Sequence, residues 1–422
     1  MRLGKKILFQ ALILIMLSFI LFTEILKSAF EEEYENLDEK RLLINFDEVF
    51  LYTAYPDISE RTFTVLSVVK SSFKALNWSC SCFHKLGFEQ GKLSLEIIQD
   101  VWNLEYQAAK LQCTIESDAE CKELEISRPG NISIKVKVFR NTIYHGKLAL
   151  CLMGPLRLEN ASYAYSTPES VMNMIGYIEK QKLLGVNRIY FYGMAVEEIL
   201  MEIIDFYRKE RVVEYTPWKF PLNPNQFRYY GQVLLMHDCM YRTRNAFNFT
   251  MFLDLDESIV PENGGTIPDL LDTIKGENIS DYGVENRFYS LDSRTDISEI
   301  RKYFGNTSIP ELQEALHLKQ DTSEWKYGIR SKFIIRPSFV HQLTVHYALS
   351  ILEGFHTFVF PSDDVVVRHY RKDPPYAPVP GVVELPKPGY IKHVKQLMFR
   401  VNQTCEIFHQ QNILNCTFID LY

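Results

Sequence analysis

Between Lys147 and Leu253 short apolar runs alternate with helix-like stretches, and this alternation constrains the fold more than any other feature of the chain. Leu148–Leu152 is an unbroken apolar run, ended by Gly154-Pro155. Thr167-Pro168-Glu169 then opens a helix: threonine caps free N–H groups, proline suits the first turn, and glutamate complements the helix dipole. That helix runs through Val171, Met174, Ile175 and Ile178 to a stop at Gly185. Strand Arg188–Tyr192, helix Glu197–Lys209, strand Val212–Tyr215, a helix over about 231–242 and strand Phe249–Leu253 follow. Three β–α units feeding a fourth strand predict an α/β domain with a mainly parallel sheet and helices on both faces. Ligands of such sheets bind beyond the carboxyl ends of the strands.

The flanking segments read differently. Residues 46–140 hold short β-rich runs, Val49–Tyr52, Phe63–Val69 and Ile132–Val138, the last alternating apolar and polar with period two, and predict a smaller β-rich accessory module. The main domain is expected over 147–410, with a C-terminal tail at 411–422. At the other end, Met1–Lys6 is basic and Ile7–Leu26 is apolar enough to cross a hydrocarbon core. Basic charge before it and Glu24, Glu31, Glu32 and Glu33 after it predict a cytoplasmic tail at 1–6, a signal anchor at 7–26 and a stem at 27–45. The competing reading is a cleaved signal peptide, for which Lys27-Ser28-Ala29 offers a poor site.

A chain anchored this way is lumenal beyond residue 26, in Golgi or other secretory membranes. Eight N-x-[ST] sequons agree, at Asn77, Asn131, Asn160, Asn248, Asn278, Asn306, Asn402 and Asn415. Asn248 abuts a buried strand and is expected to go unused. There are eight cysteines and no C-x-x-C pair, so disulfides are favoured over a zinc ribbon. Cys80, Cys82, Cys113 and Cys121 lie close enough in sequence to pair among themselves, and Cys405 with Cys416. Cys151 and Cys239 fall in core elements and read as buried free thiols. The net charge of −7 and the lack of a long basic run give no support to a nucleic-acid partner.

The chemistry concentrates in Met251-Phe252-Leu253-Asp254-Leu255-Asp256-Glu257-Ser258, an apolar strand that ends in three carboxylates within four residues. Such acids repel one another, and a bound divalent cation relieves the repulsion. Mn²⁺ or Mg²⁺ suits oxygen ligands shared with substrate phosphates. Asp-x-Asp spacing on an extended strand places both side chains on one side, so Asp254 and Asp256 can reach one metal. The bland alternative is a solvated acidic turn.

The run Phe252–Pro261 resembles the metal-binding segment of glycosyltransferase family 92. Cys151–Pro155, Gly185–Tyr192, His237-Asp238-Cys239, Ser331–Pro337 and His369-Tyr370-Arg371 fit the same resemblance in order and spacing. The resemblance implies a GT-A-type, Rossmann-like nucleotide-sugar-binding domain and transfer of galactose from UDP-galactose to a glycan or glycoprotein acceptor, with inversion. It implies Asp256, Asp254 and His369 as metal ligands, with His346 as runner-up for the third position. Asp254 is further expected to hold the ribose, and Lys332 and Arg371 to neutralise diphosphate oxygens. Inversion needs a carboxylate base; among Asp281, Glu285, Asp292, Asp363 and Asp364, Glu285 and Asp364 are chosen. Trp218, Tyr229, Tyr230 and Trp325 are candidate sugar-stacking aromatics. Two rivals stand beside this reading: a haloacid-dehalogenase-like phosphohydrolase using the Asp-x-Asp pair, Lys332 and Asp363-Asp364, and a non-catalytic lumenal glycan-binding protein.

Overall fold

A computed structural model describes residues 44–422 except 47–48, 58–60, 76, 86, 100–103, 118–119, 131, 141–145, 158–170, 322–324, 373, 375–382 and 385. The expected anchor at 7–26, the stem up to residue 43, the Thr167-Pro168-Glu169 helix start, and Asn131 and Asn160 lie outside the described residues. Among the described residues no helix is long and apolar enough to cross a membrane.

Period-two alternation builds the first layer. β1 (Ile44–Asn45), β2 (Val49–Pro56), β3 (Thr62–Lys70), β4 (Ser79–His84), β5 (Gly87–Ile97), β6 (Tyr106–Thr114), β7 (Glu123–Arg128) and β8 (Ile132–Lys137) pair in the order β1-β2-β3-β6-β5-β4-β7-β8. β2 and β3 are apolar on both faces because each face has its own partner. Val49, Leu51, Phe63 and Val65 pack with Leu111, Leu124, Ile126 and Val136, and the sheet curls until Val138 bridges Ala54. Phe50, Tyr52, Leu66 and Val68 pack instead against Tyr192, Trp218 and residues 233–240 of the rest of the chain. Arg244 reinforces that contact, reaching Asp57 at 2.9 Å while its other N–H groups donate to the carbonyls of Pro337 and Val340. Disulfides Cys80–Cys113 and Cys82–Cys121 cross-link the curled sheet.

The second layer carries the alternation seen in the sequence. β9 (Gly146–Leu152), β10 (Leu156–Arg157), α1 (Val171–Leu183), β11 (Arg188–Ala195), α2 (Glu198–Lys209), β12 (Val213–Pro217), α3 (Gln232–Thr243) and β13 (Phe247–Leu253) follow in order. Beyond them come β14 (Glu257–Pro261), α4 (Ile267–Thr273), β15 (Ile279–Val284), β16 (Asn286–Ser290), α5 (Ile297–Phe304), β17 (Ser308–Pro310), α6 (Gln313–Leu316) and β18 (Gln320–Asp321). The chain ends with β19 (Lys332–Ile335), β20 (Val340–Leu343), β21 (Ala348–Ile351), β22 (His356–Val359), β23 (Val365–Arg371), β24 (Val383–Glu384), α7 (Pro388–Gln410) and β25 (Phe418–Asp420).

The central sheet runs β12-β11-β9-β13-β19-β15-β22, with β10 beside the end of β11. Its strands are parallel except β19, which lies antiparallel between β13 and β15. From β9 the chain moves outward through β11 and β12, then crosses back to β13. The strand order therefore reverses between β9 and β13, which places a topological switch point beyond Leu152 and Leu253. A smaller sheet, β14-β23-β16, stands next to it.

Four findings depart from the sequence reading. Cys151 and Cys239 are bonded to each other, not free thiols, and staple β9 to α3. The sequence of Tyr282–Phe288 predicts a single strand, but it breaks at Glu285: β15 stays in the central sheet and β16 enters the small one. Residues 411–422, set apart as a tail, return to pair β25 with β17, and Leu421 is buried. α7 was absent from the sequence reading although Tyr390, Val394, Leu397, Val401, Thr404 and Phe408 form a buried stripe at helical spacing. Arg368 holds its start, lying 3.7 Å over the Tyr390 ring and donating to Glu262 at 2.5 Å.

Two stability predictions follow from this core. His237 is fully buried; its Nδ1 contacts the Val233 carbonyl at 2.8 Å and its Nε2 accepts the Leu343 N–H at 3.2 Å, so only the neutral ring satisfies both. Burial, the largest cause, pushes its pKa down to about 3. Between pH 6.5 and that value the unfolded chain binds the proton and the folded chain does not, so stability falls as pH drops. Urea unfolding at pH 7 and pH 4 should differ by about 3 kcal/mol less for His237→Gln than for the parent. Separately, Cys151→Ala/Cys239→Ala opens a link spanning 88 residues and should cost about 2–5 kcal/mol in the same assay.

Candidate functional site: an acidic turn at the switch point

β13 ends at Leu253 and the chain turns back at once. The Glu257 N–H donates to the Asp254 carbonyl at 3.2 Å, and the Asp254 N–H donates to Glu257 Oε2 at 3.0 Å. The acids thus sit on a tight turn closed from both sides, not on an extended strand. Asp254 and Asp256 consequently face different partners, Lys332 and His369.

Asp254 belongs to the buried half. Lys332, the first residue of β19 and opposite Val284 of β15, places Nζ 2.7 Å from Asp254 Oδ2 and 3.1 Å from Glu257 Oε2. Met153, in the turn after β9, offers Sδ at 3.5 Å. Burial works against the lysine's charge, but the two carboxylates outweigh it and hold its pKa well above the ordinary lysine range. Glu257 is pushed up, mainly by burial.

Asp256 faces the small sheet. Its Oδ2 lies 3.2 Å from Nε2 of His369, which stands opposite Glu257 across β14 and β23. Nδ1 of His369 is 3.3 Å from Glu257 Oε1, within ion-pair reach but without hydrogen-bond alignment. The Phe288 ring packs on the imidazole at 4.8 Å, and Trp325 and Arg330 lie around Phe288. Burial lowers the imidazole's affinity for a proton, yet Asp256 and Glu257 outweigh it and raise its pKa. Burial likewise opposes ionisation of Asp256, and His369 and Lys332 outweigh it to lower that pKa.

Among the described residues no three His, Cys, Asp or Glu side chains gather as a ready cation cage. The reason is local: Lys332 already engages two of the three carboxylates. What remains is Oδ1 of Asp256 and Nδ1 of His369, both buried and without a hydrogen-bond partner. One carboxylate oxygen and one imidazole nitrogen fit a divalent cation that draws its other ligands from water and phosphate.

The other candidates fall in three places. Glu285 is half-buried on the same sheet edge, one residue past Val284, the register partner of Lys332. Arg371 is two residues beyond His369 on β23, on the same side of the strand. His346 bonds the Ser331 carbonyl through Nδ1 at 3.2 Å, and burial, then Lys332, pushes its pKa down to about 4. Asp364 is exposed and precedes Val365, the partner of Pro261 at the far end of β14. Five extended residues, about 16 Å, separate it from His369, so the fold does not bring it to the acidic turn. Asp363 and Asp292 are exposed as well, and Asp281 is tied to Ser280 and Thr357 inside the sheet.

Trp218 is core, its Nε1 donating to the Tyr230 carbonyl. Tyr229, Tyr230 and Gly231 all have left-handed backbones (φ 43, 53 and 86°) where the chain leaves the carboxyl edge of the sheet for α3. Of the described sequons, Asn77, Asn278, Asn306 and Asn415 are exposed, as is Asn248, whereas Asn402 is half-buried on α7. Met153, Phe288 and Arg330 were missed, since nothing local in their sequence marks them as neighbours of the acids.

The Caenorhabditis elegans "Beta-1,4-galactosyltransferase galt-1" is 22% identical over 206 residues, covering 48% of this chain and 45% of that protein. The Arabidopsis thaliana "Galactan beta-1,4-galactosyltransferase GALS1" is 36% identical over 96 residues, covering 18% of this chain and 19% of its own length. The match thus spans less than half the length of either curated relative. Among solved structures, an apo UDP-glucose pyrophosphorylase is 8% identical, covering 62% of this chain and 98% of that one, with a TM-score of 0.25. A second, from Acinetobacter baumanii, is 10% identical, covering 63% and 99%, with a TM-score of 0.24; scores this low carry no weight for the fold. The family profile of glycosyltransferase family 92 matches residues 162–404, more than half of the chain and a stretch that includes the acidic turn, Lys332 and His369. The chain belongs to glycosyltransferase family 92.

Proposed function

We propose that this protein is a divalent-cation-dependent galactosyltransferase of GT-A type that moves galactose from UDP-galactose to a glycan or glycoprotein acceptor with inversion. One observation carries the reading: an acidic turn at the switch-point edge of a parallel sheet, with an aspartate oxygen and a histidine nitrogen buried and without a hydrogen-bond partner beside it. Family membership and the names of the two relatives support the galactosyl donor. Pairing of all eight cysteines supports an oxidising lumen, and with the basic and apolar N-terminus it supports a type II Golgi or secretory-membrane protein.

In this reading Asp256 and His369 would hold Mn²⁺ or Mg²⁺, whose charge would offset that of the leaving diphosphate. Lys332 keeps Asp254 and Glu257 compact, so the turn holds Asp256 against His369 instead of flaring by mutual repulsion. Asp254, half of the Lys332 pair, would lie near the ribose, beyond the carboxyl end of β13. Arg371, on the same side of β23 as His369, would neutralise the diphosphate. Glu285 takes the proton of the acceptor hydroxyl as that oxygen attacks the anomeric carbon from the side opposite the leaving group.

Three substitutions in the full chain test the assignment, with nucleotide release from UDP-galactose as the readout. Asp256→Ala should lower turnover by at least about a hundredfold while leaving the circular dichroism spectrum unchanged. Glu285→Gln should lower kcat by about 10²–10⁴-fold with donor KM within about threefold. Asp364→Asn should leave both within about twofold. Normal turnover in Asp256→Ala would remove the acidic turn from the reaction, and normal turnover in Glu285→Gln would move the base elsewhere.

A further inference from the structure

The buried ammonium of Lys332 sits where a cation-binding protein would be expected to leave space. It is 1% exposed, lies 2.7 Å from Asp254 and 3.1 Å from Glu257, and its remaining side faces the Met153 thioether. No N–H is left pointing at open solvent, so it is poorly placed as the diphosphate ligand expected from the sequence. The two carboxylates it engages flank Asp256 in a four-residue turn, and the third acid pairs with His369 and keeps only its Oδ1 without a hydrogen-bond partner.

We propose that Lys332 is a resident counter-ion that competes with the divalent cation for the acidic turn and thereby sets the affinity of the site. The inference rests on the proposed cation site and concerns how that site is tuned. A fixed positive charge this close does two things. It neutralises enough carboxylate charge for the turn, and the β14–β23 pairing that begins at Glu257 and His369, to stay folded with no cation present. It also weakens cation binding, both by repulsion and by withholding Asp254 and Glu257 as ligands. The expected result is a site that binds its cation weakly alone and firmly only when nucleotide phosphates add their oxygens. Cation and nucleotide would then load together and leave together, without the turn unfolding between cycles.

The test uses Mn²⁺ alone, with calorimetry and thermal unfolding of the full chain, so that activity is not the readout. Lys332→Met should bind Mn²⁺ at least about tenfold more tightly than the parent and gain a larger Tm increment from it, because two carboxylates are released and a repelling charge is removed. Asp254→Asn/Lys332→Met, which removes one charge of each sign, should return to within about threefold of the parent. Should Lys332→Met fold only with Mn²⁺ present, that also supports the proposal, and the double variant then supplies the affinity comparison. Unchanged or weaker Mn²⁺ binding by Lys332→Met overturns it, as does a tenfold loss in the double variant, which would make Asp254 a true ligand. If the parent and Asp256→Ala bind Mn²⁺ equally, the cation site itself is misassigned, a failure distinct from that of the counter-ion.

Discussion

Three carboxylates within four residues at the mouth of a buried strand must be neutralised, and most of what is specific to this structure answers that demand. Water cannot serve, because Glu257 and Asp254 are almost fully buried. Two cationic or protonable groups come from distant parts of the chain instead, Lys332 from the start of β19 and His369 from β23. Each is delivered by strand register, Lys332 opposite Val284 and His369 opposite Glu257. The two sheets are consequently joined through the acidic turn, and their relative placement and the electrostatics of the site are one problem.

The rest of the architecture keeps that turn in place. The Cys151–Cys239 bond fixes β9, whose following turn supplies Met153, to the helix leading into β13. Behind the site, the fully buried Arg368 joins Glu262, at the end of β14, to Tyr390 at the start of α7. The N-terminal curled sheet packs on α3 through Phe50, Tyr52, Leu66 and Val68. Burial on both faces of β2 and β3 makes it an integral part of the core. A parallel sheet needs cover on both faces, and here this module supplies part of it.

Much of this was legible in the sequence. The β–α alternation from Leu148 to Leu253 and the acidic end of β13 are local patterns, and local periodicity reports local structure. The acidic run was legible too, but it folds as a closed turn where the Asp-x-Asp spacing predicted an extended strand, because Glu257 bonds back to Asp254 through both its N–H and its carboxylate. The partners were harder still. Lys332 is 78 residues from Asp254 and His369 is 113 from Asp256, so only a family resemblance suggested them. The break at Glu285 has no proline beside it, and the nearest glycine, Gly283, lies inside β15. The pairing of Cys151 with Cys239 followed from packing, which spacing alone does not encode. Asp364 was chosen for its place in the sequence, and the register of β23 places it at the end of the small sheet away from His369.

The central claim is that the acidic turn exists to hold a cation against a nucleotide diphosphate. Anomalous diffraction at the manganese edge, from crystals grown with Mn²⁺ and UDP, tests it most directly. The account predicts one strong peak within coordination distance of Asp256 and His369, touching the diphosphate beyond the carboxyl ends of β9 and β13, with Lys332 still on Asp254. A nucleotide bound at another edge of the sheet, or no manganese beside Asp256, would contradict it.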